Sequence, residues 1–204
     1  MLKKFAADAF GISDIGKVIS PNDFDKTDAD DYVMHEDGEK IYFLIKSKSD
    51  EYCFTNRALI HVDGANAVSS KRSLYRYDYY ANMVDGVTLE TAGNIDLDIE
   101  IKFSIGNRAF SIDVDKKQLE QLKDLYKALI AISQVMRSND RKLGYAKQSI
   151  DVASSMLSNN RHDGSNISEH FEKVNEYVFN WMCESNEKFK VKDFGYLFER
   201  YINN

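Results

Sequence analysis

Four histidines, two cysteines and several runs of carboxylates are the residues of this 204-residue chain that could do chemistry, and their spacing decides what kind. His35, His61, His162 and His170 form no HExxH pair. Glu169-His170 has no second histidine four places on, so two imidazoles do not meet on one helix face as a zinc site of that kind requires. His61 falls between Ile60 and Val62 and opposite to them in strand phase, which predicts a ring facing water. Cys53 and Cys183 stand far apart, outside any CxxC pair, and read as reduced, buried thiols. Asp96, Asp98 and Glu100 point the same way about 7 Å apart along one strand face, but calcium wants six to eight oxygens wrapped by a loop. The tract Asp23–Asp31 lacks the sixth-position glycine and the closing glutamate of an EF-hand, so both groups read as solvated acidic surface. The ten glycines are dispersed and build no phosphate loop, and no serine sits in a GxSxG elbow. The expectation is a protein without catalytic residues, metal or cofactor, and not an enzyme.

Charge narrows the partners. The net charge is −6, and residues 22–39 carry eight acids against the single base Lys26. A nucleic-acid binder needs a basic stripe to displace counterions from phosphates, and this balance is the reverse. Bulk attraction to an anionic membrane is disfavoured on the same ground. No run approaches the eighteen or so apolar residues of a membrane span, and Asp8 interrupts the apolar start too early for a signal peptide. The expected location is the cytoplasm.

The elements that must position any site change period along the chain. From Lys40 to Asp115 the pattern is period two, clearest in Asn94–Ile105, where apolar and polar residues alternate without exception. Six further strands are predicted: around Ile41, Phe43 and Ile45; Tyr52 and Phe54; Ala58, Ile60 and Val62; Ser69–Tyr80; Val87 and Leu89; and Phe110, Ile112 and Val114. Turn signals separate them at Ser49-Asp50, Asn56, Asp63-Gly64, Asp85-Gly86, Gly93-Asn94 and Gly106-Asn107. After Asp115–Gln118, which has the form of a capping box, Leu119, Leu122, Tyr126, Leu129 and Ile130 recur at helical spacing. Ser138-Asn139-Asp140 reads as a boundary. Beyond it Leu143, Ala146, Ile150, Ala153 and Leu157 mark one helix, and Ile167, Phe171, Val174, Val178 and Trp181 a second. The turn formers of 159–165 lie between them, which predicts an antiparallel hairpin. Phe194, Leu197, Phe198 and Tyr201 close the chain as a short amphipathic piece. The resulting division is an N-terminal segment of short helices and acidic loop (1–38), a β domain (39–137) and a helical hairpin extension (138–204).

Seven antiparallel strands and one capping helix are the plan of the pleckstrin-homology superfold. Residues 39–130 resemble the bacterial pleckstrin-homology family in three stretches: Phe54-Thr55-Asn56-Arg57-Ala58-Leu59-Ile60, Val87–Gly93, and Ile95–Phe103. Residues 139–204 resemble the helical extension that some members carry. The fold class is therefore expected to be mainly β with α: a seven-stranded antiparallel barrel or sandwich, a helix that caps it, and a helical hairpin. The resemblance implies a non-enzymatic scaffold or adaptor for protein–protein contact, assembled as a cyclic homo-oligomer, a ring larger than a dimer, that binds another, unidentified protein.

The same resemblance raises a different class of function. Eukaryotic pleckstrin-homology domains hold inositol phosphates through lysines and an arginine near the first two strands. Lys46 and Lys48 occupy that place here, with Arg57, Lys71, Arg72 and Arg76 as further bases, but Asp50-Glu51 follow where the arginine is expected and repel phosphate. A peripheral lipid or inositol-phosphate module is the alternative this set supports. For assembly the candidate residues are Phe171, Val174, Val178, Trp181, Phe194 and Phe198, which offer more apolar surface than one hairpin seam hides.

Overall fold

Strand alternation and helical stripes resolve into eight strands and three helices in the computed structural model, which describes residues 15–64, 72–91, 98–159 and 167–202. The strands are β1 (Lys17–Val18), β2 (Ile41–Lys46), β3 (Asp50–Thr55), β4 (Ala58–Gly64), β5 (Arg72–Asp78), β6 (Val84–Glu90), β7 (Asp98–Ile105) and β8 (Arg108–Asp115). The helices are α1 (Leu119–Asn159), α2 (Ile167–Phe189) and α3 (Gly195–Ile202). β1-β2-β3-β4-β5 form one antiparallel sheet and β6-β7-β8 another. The extra strand, β1, is only two residues long. The expected turn at Gly93-Asn94 and the run Asn94–Leu97 lie outside the described residues, as do residues 65–71 and the loop 160–166.

Two glycines sit where a side chain is disfavoured. Gly16 joins the sheets: its N–H donates to Asp113 O at 2.8 Å and its carbonyl accepts from Asp115 N–H at 3.0 Å. A Cβ there would meet Ile45 Cγ2 at 2.7 Å and Asp113 O at 2.9 Å, closer than packed atoms allow. Gly86, expected in a turn, instead lies within β6 with φ +59°, where the register slips between Asp85 and Thr88. It is a bulge residue, for which a left-handed φ suits glycine.

The alternation of β7 and β8 holds because that sheet buries one face. Ile99, Ile101, Phe103 and Ile105 are inside with Phe110, Ile112 and Val114. Phe54 and Tyr52 of the other sheet meet them edge-on, at 5.9 Å from Phe103 and 6.2 Å from Phe110. β3 and β4 behave differently, because their second face is covered too. Leu44, Cys53, Ile60 and Val62 pack with Ile19, Ala29 and Val33, so the N-terminal segment forms a second apolar layer on the outside of the large sheet. That segment runs as three short 3-10 turns, Pro21–Lys26, Asp30–Tyr32 and His35–Asp37.

The expected capping box is half realised. Asp115 caps the turn into α1 by accepting from Lys117 N–H at 2.9 Å. Gln118 turns instead to β1, accepting from Val18 N–H at 2.7 Å and donating to Val18 O at 3.0 Å, as a neighbouring strand would. The helix does not break at Ser138-Asn139-Asp140: α1 runs through these residues and is 41 residues long in all. Leu122, Leu125, Leu129 and Ile132 are buried before these residues, and Leu143 and Ala146 after them. With neither glycine nor proline at 138–140, three polar residues cost the helix only tenths of a kcal/mol each, roughly.

The chain divides into two compact units, residues 1–134 with 192–204, and residues 135–191. α3 thus returns to the β-rich unit, although the sequence suggested that it belongs to the extension. Phe194 and Phe198 are buried there, 1% and 0% exposed, and Leu197 with them. Phe198 stacks on Tyr42 at 5.3 Å and Phe194 meets Tyr79 edge-on at 5.8 Å. Asn56, in the turn after β3, holds the segment: its carbonyl accepts from Phe194 N–H at 2.7 Å and its amide donates to Asp193 at 2.6 Å.

Candidate functional site

The six bases proposed for an anion do not converge. Lys46 pairs with buried Glu51, whose other oxygen accepts from Ala29 N–H at 2.7 Å. Arg57 donates to the carbonyl of Asp37 at 2.6 Å, and Arg72 pairs with Asp28. Arg76 forks onto both oxygens of Glu39 at 3.0 and 3.1 Å and reaches Asp78 at 2.9 Å. Lys48 is exposed in the turn after β2, and Lys71 lies outside the described residues. Four of the six therefore meet carboxylates or a carbonyl, and Lys46, Arg57, Arg72 and Arg76 tie the N-terminal segment or β3 in place. The acidic tract that read as solvated surface is in part the other half of this arrangement. Glu39 is 1% exposed and also accepts from Thr55 and from Met34 N–H. Burial pushes its carboxyl up, but the Arg76, Thr55 and Met34 bonds outweigh that and hold it below the usual range.

His61 is not on a wet face. It is 4% exposed, because β3 and β4 are covered on both sides. Its ring lies between Tyr52, stacked at 4.5 Å, and Tyr75 at 5.9 Å, with Phe110 edge-on. Nε2 is 3.1 Å from Asp50 Oδ1, while Nδ1 has no partner among the described residues. Burial raises the Asp50 carboxyl, yet the His61 and Ser49 bonds leave it lowered overall. Burial also pushes the Tyr52 hydroxyl up to about 12, helped by the Asp50 charge. The Cys53 thiol, likewise buried, is pushed up and so is a poor nucleophile. Cys183, expected to be buried, is exposed on α2. Among the described residues no three His, Cys, Asp or Glu side chains gather as a metal site requires.

The hairpin of 135–191 is the other candidate. Leu143, Ala146 and Ser185 are buried at its base, where α1 and α2 run antiparallel. The stripe opens towards the tip: Ile150, Val174, Val178 and Trp181 are half-buried, while Phe171 is 69% exposed. Tyr145, Tyr177 and Phe179, which the periodicity did not single out, are exposed by about two thirds each. The signal that could have found them is an aromatic side chain off the apolar stripe, where a solvated helix carries polar residues. At the base, Tyr145, Ala146, Ser149, Trp181, Ser185 and Phe189 line a groove of about 430 Å³, with Lys142, Glu184 and Lys188 at its edges. The Trp181 Nε1–H is buried without an acceptor among the described residues.

Comparison with known proteins also divides the chain in two, with α3 counted in the second region. Residues 9–133 match the bacterial PH domain family, and residues 144–204 match the YvbH-like oligomerisation region. The uncharacterized protein YvbH of Bacillus subtilis strain 168 is 56% identical over all 204 residues of both chains. A PH domain containing bacterial protein of Exiguobacterium sibiricum 255-15, known from its crystal structure, is 52% identical. It superposes with a TM-score of 0.85 over 93% of this chain and all of its own.

Proposed function

Because the chain belongs to the bacterial PH domain family and carries a YvbH-like oligomerisation region, we propose that it is a non-enzymatic, cytoplasmic scaffold that self-assembles and presents its PH-like domains to another protein. The assembly is a homo-oligomer larger than a dimer, closed as a ring by repeated head-to-tail contacts between the domains. The observation that carries the self-association is the apolar surface the hairpin leaves in water: Phe171 at the open end of its stripe, and Tyr177 and Phe179 beside the stripe. Each such side chain is worth roughly 1.5–3 kcal/mol when buried. Fixing a subunit costs about 4–15 kcal/mol, so several must act together. Of the residues first nominated, Phe171, Val174, Val178 and Trp181 remain available for a subunit contact, whereas Phe194 and Phe198 are already spent inside the β-rich unit.

A lipid or inositol-phosphate role gains no support from the geometry, since a phosphate must first displace Glu51, Asp28 or Glu39 from its base. No helix among the described residues is long and apolar enough to cross a membrane.

The test is the mass of the native particle by light scattering after size exclusion, at micromolar concentration. A single species of three or more subunits is expected, and the substitutions Phe171→Ser with Val178→Ser should lower its subunit number. A monodisperse monomer for the unaltered chain would sink the reading. A plain deletion from Ser138 onward is unsuitable, because it cuts α1 and removes α3 from the β-rich unit.

A further inference from the structure

The N-terminal segment seals the large sheet with one side and shows a different surface on the other. Val33 is 6% exposed and packs with Leu44, Cys53 and Ile60, so its chain neighbours Tyr32 and Met34 are turned outward and stand 49% and 46% exposed. Their backbone is held still. Val33 N–H donates to Asp30 O at 3.1 Å, and Asp30 Oδ1 lies 3.0 Å from the His35 ring. Met34 N–H donates to the Glu39 carboxylate at 3.0 Å and its carbonyl accepts from Glu39 N–H at 3.1 Å, while Arg76 forks onto that same carboxylate. The charge here is of one sign: residues 30–38 carry four acids and neither lysine nor arginine. Asp30 faces His35, whereas Asp31, Glu36 and Asp37 are exposed and form no ion pair among the described residues.

Resting on the presentation to another protein proposed above, we infer that Tyr32 and Met34, with Asp31, Glu36 and Asp37 beside them in the chain, receive a basic segment of that protein. An arginine or lysine of the segment sits over the Tyr32 ring, and an apolar side chain lies against Met34. Two other exposed tyrosines of the β-rich unit show what Tyr32 lacks. Arg108 lies over Tyr75 and Lys192 over Tyr80, each 5.8 Å from the ring centre, whereas no cation of the described residues lies over Tyr32. A ring with a carboxylate next to it offers a partner's cation both its π face and a counter-charge. An acidic segment gains neither, and the phosphates of a membrane or a nucleic acid are repelled. Because the backbone of this face is already fixed by Val33 and Glu39, docking costs it little conformational freedom. None of these residues belongs to the proposed subunit contact, so the two can be tested apart.

Fluorescence anisotropy of a short labelled peptide of alternating arginine and leucine, titrated with the full chain, tests this face. Binding is expected, and it should weaken severalfold as salt rises from about 50 to about 200 mM. Tyr32→Ser with Met34→Ser should weaken it about tenfold, while Tyr32→Phe, which keeps the ring, should stay within about twofold. Asp31→Asn with Glu36→Gln and Asp37→Asn should also weaken it about tenfold. Glu172→Gln with Glu176→Gln and Glu187→Gln removes the same charge from α2, where all three are exposed, and should leave binding unchanged. An equal loss there would mean bulk attraction to an acidic protein and overturn the inference. So would a peptide of alternating glutamate and leucine that binds as well. If the unaltered chain binds no basic peptide yet is an oligomer by light scattering, this face is wrong and the self-assembly stands. If a monomer binds it with the expected losses, the face stands and the assembly is wrong. Circular dichroism of each variant, unchanged from the parent, guards against loss of fold.

Discussion

The large sheet and the hairpin bury their apolar residues to very different degrees within one chain. The sheet is covered twice, by β6-β7-β8 on one face and by the N-terminal segment on the other. Even its acids Glu39 and Glu51 are buried and paired. The hairpin closes its seam only around Leu143, Ala146 and Ser185 and leaves four aromatic side chains about two thirds exposed. A region that satisfies its own groups has little left to offer a partner. A region that does not is where the chain expects one.

The strongest way to break this comparison is to unpair a buried charge in the sheet. Arg76→Ala leaves the Glu39 carboxylate without its fork, and removal of one partner of a buried ion pair costs about 3–5 kcal/mol. A fall of the unfolding free energy by that amount in urea melts is expected, with a smaller fall for Glu39→Gln. A change below about 1 kcal/mol would show that the outer layer is not held by this pair.

Acid should act on the same region. Glu39 and Asp50 have carboxyls held below their ordinary values in the folded chain. The sign follows from linkage: the unfolded chain binds protons more readily, so their contribution is fully present above the unfolded pKa of about 4. It is lost as pH falls through the lower folded values. Urea melts between pH 7 and pH 3 should therefore lose stability mainly below about pH 4. Glu39→Gln should flatten that dependence, and an unchanged slope in the variant would remove Glu39 from the account.

The smallest effect is expected at the tip of the hairpin. Phe171→Ser takes an exposed ring from water, so the stability of the β-rich unit should change by less than about 0.5 kcal/mol. It should do so even where the subunit number falls. A large loss of stability from this one change would mean that the two regions are not as separate as their burial suggests.

How much could be read from residues alone varied with how many faces an element covers. β7 and β8 were legible residue by residue because one face is buried and one wet. The outer layer was not: an acidic, weakly patterned segment gives no sign that Ala29 and Val33 will seal Cys53 and Ile60, or that Asp28 and Glu39 will take Arg72 and Arg76 of β5. His61 was misplaced for the same reason, since phase tells which face a side chain is on but not whether that face is covered. The two apolar stretches of α1 were visible, yet three polar residues hid that one helix carries both.

Local pattern, then, determined the strands, the helices, the family resemblance and the lack of any chemical motif, because each depends on neighbours within a few residues. Tertiary structure alone decided that Arg76 meets Glu39, that Phe194 and Phe198 return to Tyr79 and Tyr42, and that Phe171 is left in water. Those outcomes join residues 37, 115 and 156 positions apart in the first three cases, and they turn on which surfaces compete for the same cover. No local spacing encodes that competition.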